Sequence, residues 1–195
     1  MDQVEAILRA ATQLFAALGY DGTSTSQIAE AAGLDLATVN AHLGGKRELY
    51  LAVMERAHQG ERAMLEQAIA ETEGMELPDR IHRIADRYLD FFVDNPDVSA
   101  LWLHRWLLDA SDVTELERQY IRPLLSLVGE VTGADTEMAL WMVVWCVNGF
   151  VRGGILDEEG RRRGADDRVA LRRFRSCMHL VLHRSLGFPG DPPSA

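Results

Sequence analysis

Three consecutive stretches decide the fold: ILRAATQLFAALGY (7–20), DGTSTSQIAEAAG (21–33) and LDLATVNAHLGGKRELY (34–50). In the first, Val4, Ile7, Leu8, Ala11, Leu14 and Phe15 recur at three- and four-residue spacing, which predicts an amphipathic helix stopped by Gly19. Ser24 followed three residues later by Gln27 has the form of a capping box, starting a helix that ends at Gly33. Asp35 is placed to N-cap a further helix, Leu36 to Leu43. Gly44 and Gly45 then break the chain before a long helix from Lys46 to about Thr72. A short helix, a glycine turn and a second short helix within about twenty residues is the plan by which a helix enters a DNA major groove.

Working outward, 195 residues suffice for one large or two small domains with a substantial core. The longest apolar run, Met138 to Val147, is ten residues, about half of a membrane span. With no basic segment leading into an apolar one at the start, the chain reads as a cytoplasmic protein without a signal peptide. Cys146 and Cys177 fall in apolar helical segments and are expected as reduced core residues. The net charge is −10, and residues 1–50 carry Arg9, Lys46 and Arg47 against six acids. Nucleic-acid binders usually present a basic patch. Phosphate contacts would be few, so binding is expected to be weak and salt-sensitive, or to depend strongly on dimerisation.

The rest reads as helix, with no repeat and no convincing strand. Pro78 opens a helix carrying Ile81, Ile84, Ala85, Tyr88, Phe91 and Phe92; Asn95-Pro96 is a turn; Asp97–Asp109 is helical. A helix over about Thr114–Val131 contains Pro123 and should kink or break there. Asp135 caps a helix to about Arg152, apolar nearly all round, which predicts a buried element. Residues 156–167 read as a charged, glycine-punctuated loop in which Arg161, Arg162 and Arg163 are neutralised by neighbouring acids. A last helix spans about Arg168–Leu186 before a proline-rich tail.

The ordered set Ala11, Leu14, Phe15, Gly19-Tyr20, then Thr25-Ser26, Ile28-Ala29, Ala31-Ala32-Gly33, then Thr38-Val39 with His42, then Lys46 with Leu49 resembles the tetracycline-repressor (TetR) family of bacterial transcription regulators. The resemblance implies an all-α protein with an N-terminal three-helix helix-turn-helix DNA-binding domain (residues 1–46). A C-terminal helical ligand-binding and dimerisation domain (47–188) and a disordered tail (189–195) would follow. It also implies roles for matching positions. Thr25 and Ser26 open the first motif helix, where the family contacts phosphate and sometimes a base. Leu36, Ala37, Thr38 and Asn40 lie on the recognition helix, His42 near its end. Lys46, the only lysine, resembles the family's phosphate-binding lysine, and an ammonium at a helix N-terminus suits an anion. The chain departs from the family in having Asn40 for the usual tyrosine and Leu43 for phenylalanine. It also lacks a basic arm before the first helix. The tyrosine's phosphate contact is lost, while asparagine can pair bidentately with adenine. Asn40 therefore has two readings, base reader or solvated surface residue, and Thr38 two, helix cap or DNA contact.

The four tryptophans form two i, i+4 pairs, Trp102 with Trp106 and Trp141 with Trp145, each on one helix face. One reading is core packing. The other is an aromatic-lined effector pocket completed by Tyr88, Phe91, Phe92, Met138 and Met142, with His104, Asn148 or Glu137 as its polar groups. The last two helices are expected to pair with their copies as a four-helix dimer interface through Ala139, Val143, Gly149, Leu171, Phe174, Met178 and Val181. His179 and His183 share a face, but without a third ligand they read as a solvated or interfacial pair, not a metal site. No nucleophile motif, phosphate cradle or metal cluster points to catalysis or a cofactor.

With what the resemblance implies, these observations lead to the expectation of a homodimeric, ligand-responsive transcription regulator, by family analogy a repressor, that binds a near-palindromic double-stranded operator and is released by a largely apolar small molecule. The alternative is a helical sensor or protein-interaction module whose DNA reader is weakened or lost, in keeping with the acidic first fifty residues and Asn40.

Overall fold

The computed structural model describes residues 2–107, 109–110, 113, 115–133 and 136–192. The expected helix start at Thr114, the cap at Asp135 and the last three tail residues lie outside them. The chain packs into two compact units, one of residues 1–60 and 97–120, the other of 61–96 and 121–195.

The first unit holds α1 (Gln3–Leu18), α2 (Thr25–Ala32), α3 (Leu36–Leu43), the opening of α4 (Lys46–Glu71) and α6 (Pro96–Trp106). Local chemistry sets its boundaries. The Ser24 hydroxyl accepts from Gln27 N–H at 3.2 Å while the Gln27 carboxamide accepts from Ser24 N–H at 2.7 Å, so the capping box forms. Gly33 ends α2 in the left-handed conformation, and Asp35 accepts from Thr38 N–H at 2.7 Å to start α3. That bond from the Thr38 amide holds the Asp35 carboxyl below its usual range. The core gathers Ile7, Ala11, Phe15, Ile28, Val39, Leu49 and Tyr50, all essentially buried. Phe15 and Tyr50 meet edge to face at 5.2 Å, and Arg56 clamps Glu5 with two bonds of 2.7 and 2.8 Å.

The second unit holds the rest of α4, α5 (Leu77–Asp94), α7 (Arg122–Thr132), α8 (Glu137–Gly153) and α9 (Arg168–Ser185). Helix α5 buries Ile81, Ile84, Ala85, Tyr88, Leu89 and Phe92, an i, i+3, i+4 stripe. Phe150 of α8 stacks on Phe174 of α9 at 4.2 Å. The helix is broken at Pro123, as expected. A five-residue π-helical turn, Glu117–Ile121, precedes it and α7 begins around it, where its missing N–H costs nothing.

Three expectations are corrected. Segment 156–167 is an ordered β-hairpin: β1 (Ile155–Leu156) pairs antiparallel with β2 (Arg162–Arg163). Asp157 caps its turn and binds both Arg161 (3.1 Å) and Arg163 (2.9 Å), so the charges neutralise within the hairpin as anticipated. A side chain at Gly154, φ +64°, would meet the Arg163 carbonyl at 2.5 Å, so glycine is needed there. Helix α8 is not buried all round. Its inner face is Val147, Asn148 and Phe150, and Met138, Met142 and Trp145 are 73, 43 and 61% exposed. Cys146 and Cys177 are likewise exposed free thiols and not core residues. An apolar periodicity reports how much of a helix is to be covered, not whether the same chain covers it.

Candidate nucleic-acid interface

In the first unit, the residues read as DNA contacts lie on α2, α3 and the start of α4. Ser26, Leu36, Ala37, Asn40 and His42 are exposed; Thr25, Thr38 and Lys46 are half-buried. Val39, between them on α3, is fully buried and pins the helix to the core, which leaves Leu36, Ala37, Asn40 and His42 outward. The Thr38 amide is engaged by the Asp35 cap. His42 reaches back to α1, its Nε2 donating to the Gln3 carboxamide oxygen at 3.0 Å.

Lys46 is held by two groups. Its ammonium lies 4.4 Å from the centroid of the Tyr20 ring and donates to the Asp21 carbonyl at 3.4 Å. A cation over an aromatic face is attracted by the ring quadrupole, so the ammonium is oriented while still half exposed. Tyr20 itself is 8% exposed and packs on Phe15 and Tyr50. This partner was missed in the sequence. The signal was there, a Gly-Tyr pair at a helix end, but the 26-residue gap to Lys46 is bridged only by the fold. Also unforeseen is Glu48, whose carboxylate accepts from Gly45 N–H at 3.1 Å and so occupies an amide ahead of α4.

The ten residues read as one aromatic pocket are divided. Trp102, His104 and Trp106 belong to the first unit. There Trp102 is buried and stacks on Trp106 at 6.3 Å, and His104 Nε2 donates to the Ala16 carbonyl at 3.2 Å. In the second unit, Tyr88 and Phe92 are buried 4.8 Å apart, with Phe91 half-buried against Phe92. Trp141 is half-buried, while Met138, Met142 and Trp145 face outward. Of the polar candidates, Glu137 pairs with Arg122 at the surface. Asn148 is fully buried and hydrogen-bonds the Tyr88 hydroxyl. Glu61 of α4 is 3% exposed beside them; burial first, and then its charge, push the Tyr88 hydroxyl well above its usual range.

The expected interface residues also divide. Gly149 and Val181 are exposed, Ala139, Val143, Leu171 and Phe174 half-buried, and Met178 is buried within its own chain. On α8 and α9 the outward apolar side chains are Met138, Met142, Trp145 and Cys146 with Val169, Cys177, Leu180 and Val181, only the last of which was among those expected.

The His179–His183 pair is not solvated. Both rings are 2% exposed and are joined by His82 of α5. His179 Nε2 donates to Asp86 (2.8 Å), and His183 Nε2 donates to the Pro189 carbonyl (3.1 Å). In a neutral ring that leaves His183 Nδ1 to accept from His82 Nε2 at 3.1 Å. His82 Nδ1 is then buried without a partner among the described residues. Burial and the two neighbouring imidazoles lower His82 to about 4. Burial alone would raise Asp86, but bonds from His179 and Arg175 outweigh it and hold the carboxyl low. Among the described residues no group of three or more His, Cys, Asp or Glu side chains is arranged to hold a metal ion. No helix among them is long and apolar enough to cross a membrane.

Comparison with known proteins bears on this arrangement. No curated protein matches the sequence. Solved structures align over nearly the whole chain. A tetR-family bacterial regulatory protein from Rhodococcus RHA1 is 18% identical with TM-score 0.75, covering 97% of this chain and 100% of its own. A putative tetR family transcription regulator from Shewanella sp. PV-4 is 18% identical with TM-score 0.70, covering 95% and 98%. The fatty acid degradation regulator FadR from Bacillus halodurans is 18% identical with TM-score 0.65, covering 96% and 100%. At such identities the likeness is one of fold. The family models go further: bacterial regulatory proteins, tetR family, match residues 7–53, and the tetracyclin repressor-like C-terminal domain matches residues 76–185. With its helix-turn-helix and its helical C-terminal region both matched, the chain belongs to the tetR family of bacterial transcription regulators.

Proposed function

We propose that the protein is a homodimeric repressor, acting in the cytoplasm, that leaves a near-palindromic operator when a small molecule fills its C-terminal domain. The observation that carries this reading is α3, which turns Leu36, Ala37 and Asn40 outward while Val39 anchors it, with the oriented ammonium of Lys46 in the same unit. Leu36, Ala37, Thr38 and Asn40 meet base edges; Thr25, Ser26, His42 and Lys46 meet phosphates. A two-fold dimer presents two such helices about 34–36 Å apart, or a multiple of that, which requires a matching operator.

The outward apolar face of α8 and α9 supports dimerisation, because contiguous exposed apolar surface marks an interaction site. Met138, Met142 and Trp145 then serve the interface and not the pocket. For the effector, the aromatic cluster of Tyr88, Phe91 and Phe92 supplies apolar contact, and the buried Glu61, Tyr88 and Asn148 supply polar contact. A largely apolar molecule suits such a lining. It releases DNA only by its differential affinity for the two states.

Selection of genomic DNA on the purified protein, followed by footprinting, tests this. The expected result is a protected site with two-fold symmetry, and loss of protection on adding an effector found by tryptophan quenching. A compound that binds the protein yet leaves operator affinity unchanged would contradict induction. A second reading, a sensor or interaction module with a weakened reader, is favoured by the acidic balance of residues 1–50 and by Glu48 holding the Gly45 amide. It predicts that the selection enriches no sequence.

A further inference from the structure

We infer that Asp109, three residues beyond α6, is a positioning residue for Lys46, acting through the turn that ends α1; this rests on the reading of Lys46 as a phosphate contact. The Asp109 carboxylate takes two successive backbone amides, accepting from Tyr20 N–H with Oδ2 and from Asp21 N–H with Oδ1 at 3.0 Å. These are the two residues that hold the Lys46 ammonium, one through its ring and the other through its carbonyl. The contacts therefore form a chain: carboxylate, paired amides, ring and carbonyl, ammonium.

The seat for the carboxylate is built from both sides. Gly19, at φ +73°, ends α1, and a Cβ there would fall 2.8 Å from Asp109 Oδ2 and 3.2 Å from its Cγ. Only glycine combines that backbone conformation with room for the carboxylate. On the other side, Arg105 of α6 donates to the backbone carbonyls of Asp109 (3.3 Å) and Ala110 (2.5 Å), while its Nε binds Glu117 at 2.8 Å. The Arg105 side chain is 10% exposed, so this brace is not a solvated ion pair. The Asp109 amide closes back on the His104 carbonyl at 3.1 Å, and His104 bonds Ala16 of α1. A carboxylate accepting two amides is a charge-assisted contact, stronger than a neutral pair.

Charge and position predict opposite signs. Removing a carboxylate from a protein of net charge −10 should strengthen DNA binding through the field alone. Losing the positioned ammonium should weaken it. Because Lys46 is the only lysine, reductive methylation with ¹³C-formaldehyde gives the intact protein one side-chain dimethylamino resonance besides that of the α-amine. In the unsubstituted protein that resonance should be displaced by the Tyr20 ring current. In Asp109→Ala it should move towards the free-lysine position, and in Asp109→Asn, which keeps an acceptor oxygen, it should move less.

Against the selected operator, Asp109→Ala should weaken binding by roughly three- to tenfold, the order of one phosphate contact. It should add nothing in a Lys46→Ala background. An unmoved Lys46 resonance in folded Asp109→Ala, or the same weakening with and without Lys46, overturns the proposal. A resonance that moves while Lys46→Ala binds DNA unchanged supports the positioning and removes instead the phosphate role of Lys46. Should Asp109→Ala unfold, the Asn variant and Arg105→Gln, which loosens the brace, carry the same resonance test.

Discussion

Helix α3 turns Leu36, Ala37, Asn40 and His42 outward, and α8 turns Met138, Met142, Trp145 and Cys146 outward, yet different interactions hold the two surfaces. What fixes α3 is close at hand in sequence: the Asp35 cap, the Gly33 and Gly44 ends, and the buried Val39. The orientation of α8 is fixed by remote partners, with Phe150 on Phe174 and Asn148 on Tyr88. The first surface is mixed, Leu36 and Ala37 beside Asn40 and His42. The second is apolar. A local rule sets where an element begins and ends; only long-range packing sets which side of it is left bare.

Charging the apolar face gives the largest expected effect. Trp145→Glu, at a position 61% exposed in the single chain, should leave the protomer folded but weaken dimerisation by about a hundredfold or more. Sedimentation velocity measures it, and an unchanged dimer would remove α8 from the interface. DNA affinity should fall with dimerisation if the operator is read as two half-sites.

Acid should separate the two regions next. His82 sits among His179 and His183 of α9 and Asp79 and Asp86 of its own helix, and its folded pKa of about 4 lies below the ordinary 6.5. The unfolded chain therefore takes up the proton first, and stability is lost as pH falls from 6.5 towards 4. The loss is about 3 kcal/mol if that shift alone acts. Amide exchange should find α5 and α9 opening before α1–α3 over that window, and His82→Gln should flatten the dependence. Equal opening of both regions would mean that the imidazole cluster does not govern it.

Smaller effects probe α3 and its neighbour. Asn40→Ala should cost about 1–3 kcal/mol of discrimination at a single base position, seen by comparing point-substituted operators. Uniform weakening on all sequences would make Asn40 a backbone contact instead. Ser24→Ala, which removes half of the capping box, should cost about 1 kcal/mol in a denaturant melt.

The same contrast explains what the sequence made legible. The capping box at Ser24, the cap at Asp35 and the glycine stops were readable because each is decided within four residues. The outward turn of α8 was not, since Met138, Met142 and Trp145 carry the same apolar signal whether they line a cavity or a surface. The histidine cluster was half visible: His179 and His183 announced a shared face, but His82 joins them across 101 residues. The hairpin was hidden by its composition: that neighbouring acids neutralise Arg161 and Arg163 was readable, but not that the strands on either side of the turn pair. In the candidate interface the outward residues of α3 were readable, whereas Tyr20 beneath Lys46 was found only from the fold.

The central claim is that the unit carrying α3 reads DNA. The most direct test is fluorescence anisotropy on the operator recovered from genomic selection, against a scrambled duplex, at several salt concentrations. The account predicts tighter binding to the operator and a linear fall of log affinity with log salt, the slope shrinking by about one in Lys46→Ala. Equal affinity for operator and scrambled DNA, or a slope indifferent to Lys46, would contradict it.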